Sequence, residues 1–367
     1  MAELRVPSTI DDVTSEWLDD VLDAGGSVIG LEVEPVGVGI GVMALLYRCT
    51  PTWDGSSPSA DHPSSVVVKL ASTHEPTRQV ARGYRFYERE VAVYRDLAGQ
   101  LALRPPRHWY AGHDLDSDDF AVVMEDLSGL RVCSQVDGCT IDDACVVVST
   151  LARHHAQWWC ADRLLELPYI QSPADPPYPQ FHAQSTKDAW LVSRDAFGHV
   201  VPPELHEIAE RWGDIGPALM ESYAEGPWTF GHGDVRLDNV FFRDGAEDAD
   251  GASISVVDWQ IGFRTGGAFD LAYFLCQSLA VDDRREHEDE LLRRYHDGLL
   301  AGGVTDYGWD ELRADYRRSV LFSFAYPLSA AANCDLVNDR AVELVAAMLE
   351  RTSSAILDLD ATRDVPA

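Results

Sequence analysis

A short stretch in the second half of the chain carries residue types that phosphoryl transfer requires. It reads GHGDVRLDN from Gly231 to Asn239, so one loop presents Asp234 and Asn239 together. A second segment, VVDWQ, places Asp258 at the end of an apolar run. Phosphoryl transfer needs a carboxylate to orient and deprotonate the attacking hydroxyl, and oxygen ligands to hold Mg²⁺ against the phosphates. Asp234, Asn239 and Asp258 supply these types.

Other polar residues near this motif have simpler explanations. His232 is predicted to orient the loop through hydrogen bonds rather than to act as a general base. Asp270, in GAFDLA, is predicted to cap the following helix and to brace the loop. Arg236 leaves two possibilities open. Its guanidinium either donates to the transferring phosphoryl group or pairs with Asp238 or another surface carboxylate.

The first third of the chain predicts a sheet-rich lobe. Residues Ser27 to Tyr47 predict strand, glycine loop and strand, with Gly37, Gly39 and Gly41 in the loop. The apolar run VVVKL then predicts a strand that contains Lys69. The remaining elements are a helix from Glu75 to Ala98, a helix around Thr14 to Leu22, and strands near Arg107 to His113 and Phe120 to Met124.

The rest of the chain predicts a larger, mainly helical lobe. A break in the pattern at Glu125 to Gly129 sets the boundary, giving lobes of residues 1–127 and 128–367. A loop is predicted from Ser172 to Pro179. The predicted helices are Asp142 to Trp159, Pro203 to Tyr223, Phe269 to Leu279, Asp289 to Leu300, Trp309 to Ala331 and Asp339 to Leu357, with strand-like pieces at Trp228 to Gly231, Val240 to Phe242 and Ile254 to Asp258.

The HGDVRLDN motif and the later strand-end aspartate resemble those of the aminoglycoside phosphotransferase superfamily, including its choline kinase-like and ecdysteroid kinase-like relatives. The resemblance extends from about Gly37 to about Tyr273. It implies an α+β, bilobal, protein-kinase-like fold, with a small antiparallel-sheet N-lobe and a larger helical C-lobe. It also implies that Asp234 is the catalytic base, that Asn239 and Asp258 bind Mg²⁺, and that ATP is the phosphate donor, with GTP left open.

The same resemblance assigns the nucleotide-binding residues of the first lobe. The family's lysine and helix glutamate fall on Lys69 and Glu90, its glycine loop on Gly39 and Gly41, and its hinge on Glu125 to Leu127. A lysine in an apolar strand is costly to bury unpaired, which supports a carboxylate and a phosphate as its partners. Glu88, the other glutamate nearby, lies on a different face of the helix from Glu90. Without the later motif, Lys69 would read as a strand-end lysine whose amine reaches solvent.

Departures from the protein-kinase pattern narrow the range of possible acceptors. Trp259 and Gln260 follow Asp258, where protein kinases have Phe-Gly. The segment between Asp258 and Asp270 is also too short for an activation segment. A peptide acceptor is therefore not expected. The predicted acceptor is a small-molecule hydroxyl on a sugar, an amino alcohol or an aminoglycoside-like compound. The alternative is a pseudokinase that only binds nucleotide or a partner, but the chain retains Lys69 and Asp234 together with both proposed metal ligands.

Composition excludes several classes of protein. The formal net charge of −32 disfavours nucleic acid and anionic membranes as partners, and it is interpreted as a solubility feature rather than as steering of a cationic substrate. The seven cysteines show no CxxC pair and predict buried free thiols. No apolar run long enough for a membrane span or a secretion signal is apparent, so a cytoplasmic location is expected.

Overall fold

A computed structural model describes residues 4–37, 43–55, 62–244 and 253–366. The chain divides into two compact units. The first unit comprises the residues up to Leu130 together with Val257–Ile261, and the second comprises Arg131–Val256 together with the residues from Gly262 onwards. Asp258 therefore belongs to the first unit. The predicted functional division at residue 127 stays a prediction, and Gly39 and Gly41 lie outside the described residues.

The first unit contains three α-helices and five strands among its described residues. They are α1 (Ser15–Leu22), β1 (Val28–Val36), β2 (Ala44–Trp53), β3 (Val66–Ala71), α2 (Glu75–Tyr84), α3 (Phe86–Asp96), β4 (His108–Asp114) and β5 (Asp119–Glu125). The strands form one antiparallel sheet in the order β1-β2-β3-β5-β4. Val66, Val68 and Leu70 of β3 are buried in the core against α1. Because strand side chains alternate, Lys69 faces the opposite side.

The helix predicted from Glu75 to Ala98 is wrong as a single element. It is two helices, α2 and α3, separated by Arg85, which has a left-handed backbone with φ of 58°. The rings of Tyr84 and Phe86 stack across this break at a centroid distance of 5.0 Å. The apolar period continues through the break because both helices bury one face, so periodicity could not reveal a single turned residue.

The second unit is mainly helical, and two small sheets flank its loops. Its elements are β6 (Arg131–Val132), α4 (Ile141–Trp158), α5 (Tyr178–Phe197), α6 (Pro203–Glu210), α7 (Trp212–Glu225), β7 (Thr229–Gly231), β8 (Val240–Phe242), β9 (Ile254–Val256), β10 (Phe263–Thr265), α8 (Ala268–Ser278), α9 (Val281–Ala301), α10 (Trp309–Ser323), α11 (Ala325–Ala332) and α12 (Asp339–Asp358). The sheets are β10-β7 and β6-β8-β9. Every residue of α8 is buried, so this helix forms the centre of the unit.

Two helix predictions in the second unit need correction, and one helix was not predicted. The predicted helix Pro203 to Tyr223 is broken at Arg211, and that from Trp309 to Ala331 is broken at Phe324. Helix α5 was not predicted, and it begins at Tyr178 inside the segment read as a loop. Pro179 is compatible with a helix there because the first turn needs no amide hydrogen from it.

The architecture confirms the predicted α+β class, with an antiparallel sheet in one unit and most helices in the other. Across the described ranges, every helix is too short or too polar to cross a bilayer. All seven cysteines are free thiols, as predicted, but only Cys49, Cys139 and Cys276 are buried and Cys160 is exposed. The expectation that all of them lie in the core is therefore wrong.

Candidate active site

A buried charge cluster in the first unit joins three predicted site residues. The Lys69 Nζ lies 2.8 Å and 2.7 Å from the two carboxylate oxygens of Glu90, which α3 presents to β3. It also lies 2.8 Å from Asp258 Oδ1. Glu88 instead pairs with Arg85. The choice of Glu90 over Glu88 as the partner of Lys69 is thus confirmed, while its part in nucleotide binding stays a prediction.

The cluster holds two carboxylates around one ammonium. Burial alone would lower the pKa of Lys69, but Asp258 and Glu90 outweigh it and raise that pKa. Burial raises the pKa of Glu90 to about 7, since Lys69 compensates only in part and Asp258 adds repulsion. One negative charge remains uncompensated when all three groups are ionised. The Asp258 side chain is also the most accessible of the three, at 23% exposed.

The turn that carries Asp258 is held in a specific conformation. Asp258 has a left-handed backbone with φ of 68°, which is unfavourable for a residue other than glycine and needs support from its surroundings. Arg89, buried on α3, donates through Nη1 to the Gln260 carbonyl at 2.9 Å. The Gln260 Nε2 lies 3.4 Å from Asp258 Oδ2. Adjacent residues of α3 therefore hold both Lys69, through Glu90, and the Asp258 turn.

In the second unit, the loop between β7 and β8 presents Asp234 with both carboxylate oxygens engaged. Tyr273 donates its hydroxyl to Oδ1 at 2.6 Å, and Asn239 donates its amide to Oδ2 at 3.0 Å. The same Asn239 amide also donates to the Asp234 carbonyl at 2.9 Å. These donors are uncharged and buried, and they fix the rotation of the carboxylate.

Asp270 braces this loop from α8. Its carboxylate accepts the main-chain amides of His232 at 2.7 Å and Gly233 at 2.8 Å. Burial alone would raise the pKa of Asp270, but His155, His232 and the Gly233 amide together lower it. Gly233 has φ of 85°, a left-handed conformation that favours glycine. The predicted bracing is confirmed, but the predicted cap is wrong because Gly267 is the N-cap of α8.

His155 supports Asp270 in turn. Its Nε2 donates to Asp270 Oδ2 at 3.2 Å, and its Nδ1 accepts from the Tyr295 hydroxyl at 2.7 Å. Both ring partners are fully buried. The adjacent His154 and His155 both lie on buried positions of α4. His155 in addition belongs to the hydrogen-bond network of the loop. Burial lowers the pKa of His154 to about 3.

Arg236 lies beside two carboxylates of the loop. Its Nη1 is 3.4 Å from Asp238 Oδ2, and its Nε is 3.8 Å from Asp234 Oδ2. The side chain is 22% exposed, so the guanidinium is not a freely solvated surface group. His232 accepts the Asp234 amide at Nδ1, at 3.2 Å, as expected for a residue that orients the loop. The contribution of Arg236 to chemistry stays a prediction.

The predicted hinge follows β5. The Glu125 amide donates to the Arg107 carbonyl at 2.8 Å, and the Leu127 carbonyl accepts from the Leu130 amide at 2.9 Å. Leu127 is buried. A role of Glu125 and Leu127 in binding a nucleobase stays a prediction.

Tyr273 is a site residue that sequence reasoning missed. It lies three residues after Asp270, so one helical turn separates them and both contact the loop between β7 and β8. That spacing was a usable signal. His155 offered none, because its role depends on the packing of α4 against α8. Among the described residues, no group of three or more His, Cys, Asp or Glu side chains is placed to hold a metal ion.

The fold and this set of residues define the class as a small-molecule kinase of protein-kinase-like fold. Residues 39–302 match the ecdysteroid kinase-like family, which is more than half of the chain. The protein belongs to that family.

Solved structures with a similar fold include three small-molecule kinases. Choline kinase from Cryptosporidium parvum aligns with a TM-score of 0.53 at 10% identity, over 91% of this chain and 89% of that one. Ethanolamine kinase from Plasmodium vivax aligns with a TM-score of 0.52 at 10% identity, over 90% and 82%. Choline kinase from Streptococcus pneumoniae aligns with a TM-score of 0.50 at 12% identity, over 95% and 99%. At these identities the likeness concerns the fold. No curated protein matches the sequence.

Proposed function

We propose that the protein transfers the γ-phosphate of Mg-bound ATP to a hydroxyl group of a small molecule, with Asp234 as the base. The observation that carries this proposal is the arrangement of the Asp234 carboxylate. Tyr273 and Asn239 donate hydrogen bonds to its two oxygens at 2.6 Å and 3.0 Å. Asp270 supports the same loop by accepting a main-chain amide. A base fixed in this way orients an attacking hydroxyl at little entropic cost during the reaction.

The reaction balances with one proton transfer to the protein. The acceptor oxygen forms a bond to the γ-phosphorus, the bond to the leaving nucleoside diphosphate breaks, and Asp234 takes the hydroxyl proton. Tyr273 and Asn239 keep the carboxylate in place while its charge changes. Both hydrogen-bond donors are uncharged, so neither contact depends on the charge of Asp234, and the only nearby cation recorded for the described residues is Arg236, 3.8 Å away.

The charge cluster of the first unit suits the nucleotide phosphates and their metal. When all three groups are ionised, two carboxylates around Lys69 leave one negative charge uncompensated, and the more exposed of them is Asp258. A divalent cation fits that imbalance, with Asp258 and Asn239 as protein oxygen ligands. Bound Mg²⁺ neutralises charge on the phosphates. Lys69, oriented by Glu90, would bind a phosphate oxygen, and main-chain groups near Glu125 and Leu127 would bind the base.

Tyrosine side chains near Asp234 suggest where the acceptor binds. The ring of Tyr326, on α11, lies 4.5 Å from that of Tyr273. Burial raises the pKa of the Tyr326 phenol, and the charges of Tyr178, Tyr273 and Asp234 add to the effect. Tyr178 and Tyr326 are only partly buried. We propose that their rings contact the part of the acceptor that does not react.

This surface favours an acceptor with an apolar or planar body. Tyr178 packs edge-on against Phe263 at 5.4 Å, and Phe269 lies 6.1 Å from Tyr326, so the surroundings are aromatic. Aromatic faces bind apolar rings and also single cationic centres. The family is named for ecdysteroids, and a steroid alcohol is one acceptor of this kind. An amino alcohol is the other class that the surface accommodates.

A turnover screen tests the proposal. Purified protein with ATP and Mg²⁺ is assayed for nucleoside diphosphate release against pooled steroid alcohols, amino alcohols, sugars and aminoglycosides. We expect turnover with one pool, and its loss in Asp234→Asn with nucleotide affinity changed only a few-fold, because the base is removed but the phosphate contacts remain. Asp282→Asn, which changes an exposed carboxylate on α9, is the matched control and should retain activity.

Two results would contradict the proposal. Asp234→Asn with more than about a tenth of the wild-type kcat would exclude Asp234 as the base. Nucleotide binding without turnover in any pool would support the pseudokinase alternative.

A further inference from the structure

The start of the short turn that carries Asn239 is held by a side chain from a distant loop. Leu237–Asn239 form a single turn of 3₁₀-helix directly after Arg236. The first amide of such a turn has no partner within the turn itself. Here the Leu237 amide donates to Gln135 Oε1 at 2.7 Å, and both residues are buried.

Gln135 is itself fixed at both ends. Its Nε2 donates to the Gln277 carbonyl, near the end of α8, at 2.8 Å. Its own carbonyl accepts from Arg351 Nη1 at 2.7 Å. Arg351 also donates to the Val136 carbonyl at 2.6 Å and to the Gln277 carbonyl at 3.0 Å. The guanidinium of Arg351 therefore ties the segment around Gln135 to the end of α8.

Burying the charged side chain of Arg351 costs free energy, and packing alone does not explain its position. It lies on α12 and is 7% exposed, and burial lowers its pKa. Its guanidinium donates to three main-chain carbonyls, which carry no opposite charge, and the attraction of Glu350 and Asp137 only partly offsets the effect of burial on its pKa. Burying a charge against neutral acceptors is unfavourable relative to an apolar residue of similar size. The buried position of Arg351 is explained more readily by the way it holds the segment around Gln135 against the end of α8.

We propose that Gln135 and Arg351 are positioning residues for the catalytic loop. Arg351 fixes Gln135, Gln135 fixes the Leu237 amide, and the turn that follows places Asn239 two residues later. Arg351 lies outside residues 39–302, so α12 contributes to the loop from beyond the part of the chain that matches the family. The catalytic consequence rests on the proposed phosphotransfer with Asn239 as a Mg²⁺ ligand, whereas the hydrogen-bond relay does not.

Amide hydrogen exchange tests the relay without any turnover. In the wild-type protein the Leu237 amide should be strongly protected, measured by mass spectrometry on peptides that cover residues 230–242 with fragmentation to single amides. Gln135→Leu removes the acceptor and should speed exchange at Leu237 at least 10-fold, while Gln135→Glu keeps an oxygen there and should restore most of the protection. Arg351→Met should speed the same amide, because Gln135 loses its anchor.

The Mg²⁺ concentration for half-maximal turnover tests the catalytic consequence. Loss of a group that orients a metal ligand commonly lowers metal affinity or activity about 10- to 100-fold. We therefore expect Gln135→Leu and Arg351→Met to raise this concentration about 10-fold, with the acceptor KM changed less than about threefold. Arg284→Met is the matched control. Arg284 is equally buried, but it pairs with Glu288 and Asp358, so its loss should lower the unfolding midpoint without changing the Mg²⁺ dependence.

The outcomes are separable. Unchanged Leu237 exchange in Gln135→Leu, or equal changes in Gln135→Leu and Gln135→Glu, would overturn the relay. Changed exchange with unchanged Mg²⁺ dependence would overturn the positioning role. If wild-type protein turns over no acceptor, the proposed function fails and a Mg²⁺ titration of ATP binding replaces the kinetic readout. If Gln135→Leu does not fold, Gln135→Glu and Arg351→Lys, which lacks the guanidinium fork, carry the same comparison.

Discussion

The two sets of candidate residues are held in place by different forces. In the first unit, Lys69 touches Glu90 and Asp258, so opposite charges fix one another in a buried setting. In the second unit, Asp234 receives hydrogen bonds from the uncharged groups of Asn239 and Tyr273. The first arrangement is strong but responds to protonation and to bound cations. The second fixes geometry and leaves the carboxylate available to take a proton.

This difference matches the roles proposed for the two sets. In the proposed roles, a fully ionised cluster with one uncompensated negative charge attracts a metal ion and its bound phosphate. A base whose supports are neutral can change its own charge without losing them. Changes in the first set should therefore affect binding, and changes in the second set should affect turnover.

Asp258→Ala should have the largest effect on binding. A hard divalent cation loses its main carboxylate ligand, and Lys69 loses one of its two partners. We expect the Mg²⁺ dependence of ATP binding to disappear in calorimetric titrations, whereas Asp234→Asn leaves the dissociation constant within a few-fold of the wild-type value. Equal binding losses in the two variants would break the distinction between the sets.

Asp270→Asn should lower both turnover and stability through the second unit. Both oxygens of Asp270 accept hydrogen bonds, and an amide can provide only one acceptor. Removing a buried, hydrogen-bonded charge costs roughly 3 kcal/mol of unfolding free energy, which urea denaturation measures. Asp315→Asn is the control, because that partly buried carboxylate lies outside the loop, accepts from Tyr307 at 2.9 Å and pairs with Arg318 at 3.3 Å, and because burial raises its pKa we expect a smaller loss. Similar losses in both variants would argue against a special brace.

Arg236→Ala should have a smaller effect on turnover. The guanidinium lies 3.8 Å from Asp234 and is mostly shielded from solvent, which suits a donor to the transferring group. Removing one such donor commonly lowers kcat about 10²-fold with little change in nucleotide KM. Arg243→Ala, which removes an arginine bonded to Ser255 outside the loop, is the control. Steady-state kinetics within about threefold of the wild type would place Arg236 in simple pairing with Asp238.

The sequence predicted one contact between candidate site residues, but not the residues that support the loop. The pairing of Lys69 with Glu90 followed from the resemblance to the family, and the need of a buried lysine for a carboxylate and the different helix face of Glu88 supported it. Asp270 could be predicted as a brace from its place at the start of a helix after the motif. Gln135 and Arg351 could not, because they are more than 200 residues apart and meet only through packing.

Backbone breaks were similarly hidden from the sequence. Arg85 adopts a left-handed conformation between two helices whose apolar faces continue the same period. Helix α5 was missed because prolines precede it and polar residues interrupt its apolar face. In each case the tertiary environment, rather than local propensity, decides where the helix starts or stops.

The smallest expected effect concerns how the free energy of unfolding changes with pH. The contributions of Glu90 and His182 should change in opposite directions. Burial raises the pKa of Glu90 to about 7, so the folded protein binds a proton that the unfolded chain releases near 4.5. The contribution of Glu90 to stability therefore falls as the pH rises through this range. Burial lowers the pKa of His182 to about 4, so the unfolded chain binds the proton first below 6.5. The contribution of His182 falls as the pH drops through that range.

Glu90→Gln and His182→Phe separate the two slopes. Urea unfolding of each variant and of the wild type at several pH values between 4.5 and 7 gives the difference in unfolding free energy. Relative to the wild type, His182→Phe should gain roughly 2 kcal/mol on acidification from pH 6.5 towards pH 4.5, because it removes a group that must stay neutral. Glu90→Gln should lose its relative advantage over the same acidification, because the wild type then carries a neutral Glu90 as well. Parallel curves for all three proteins would show that Glu90 and His182 do not contribute to stability with opposite pH dependence.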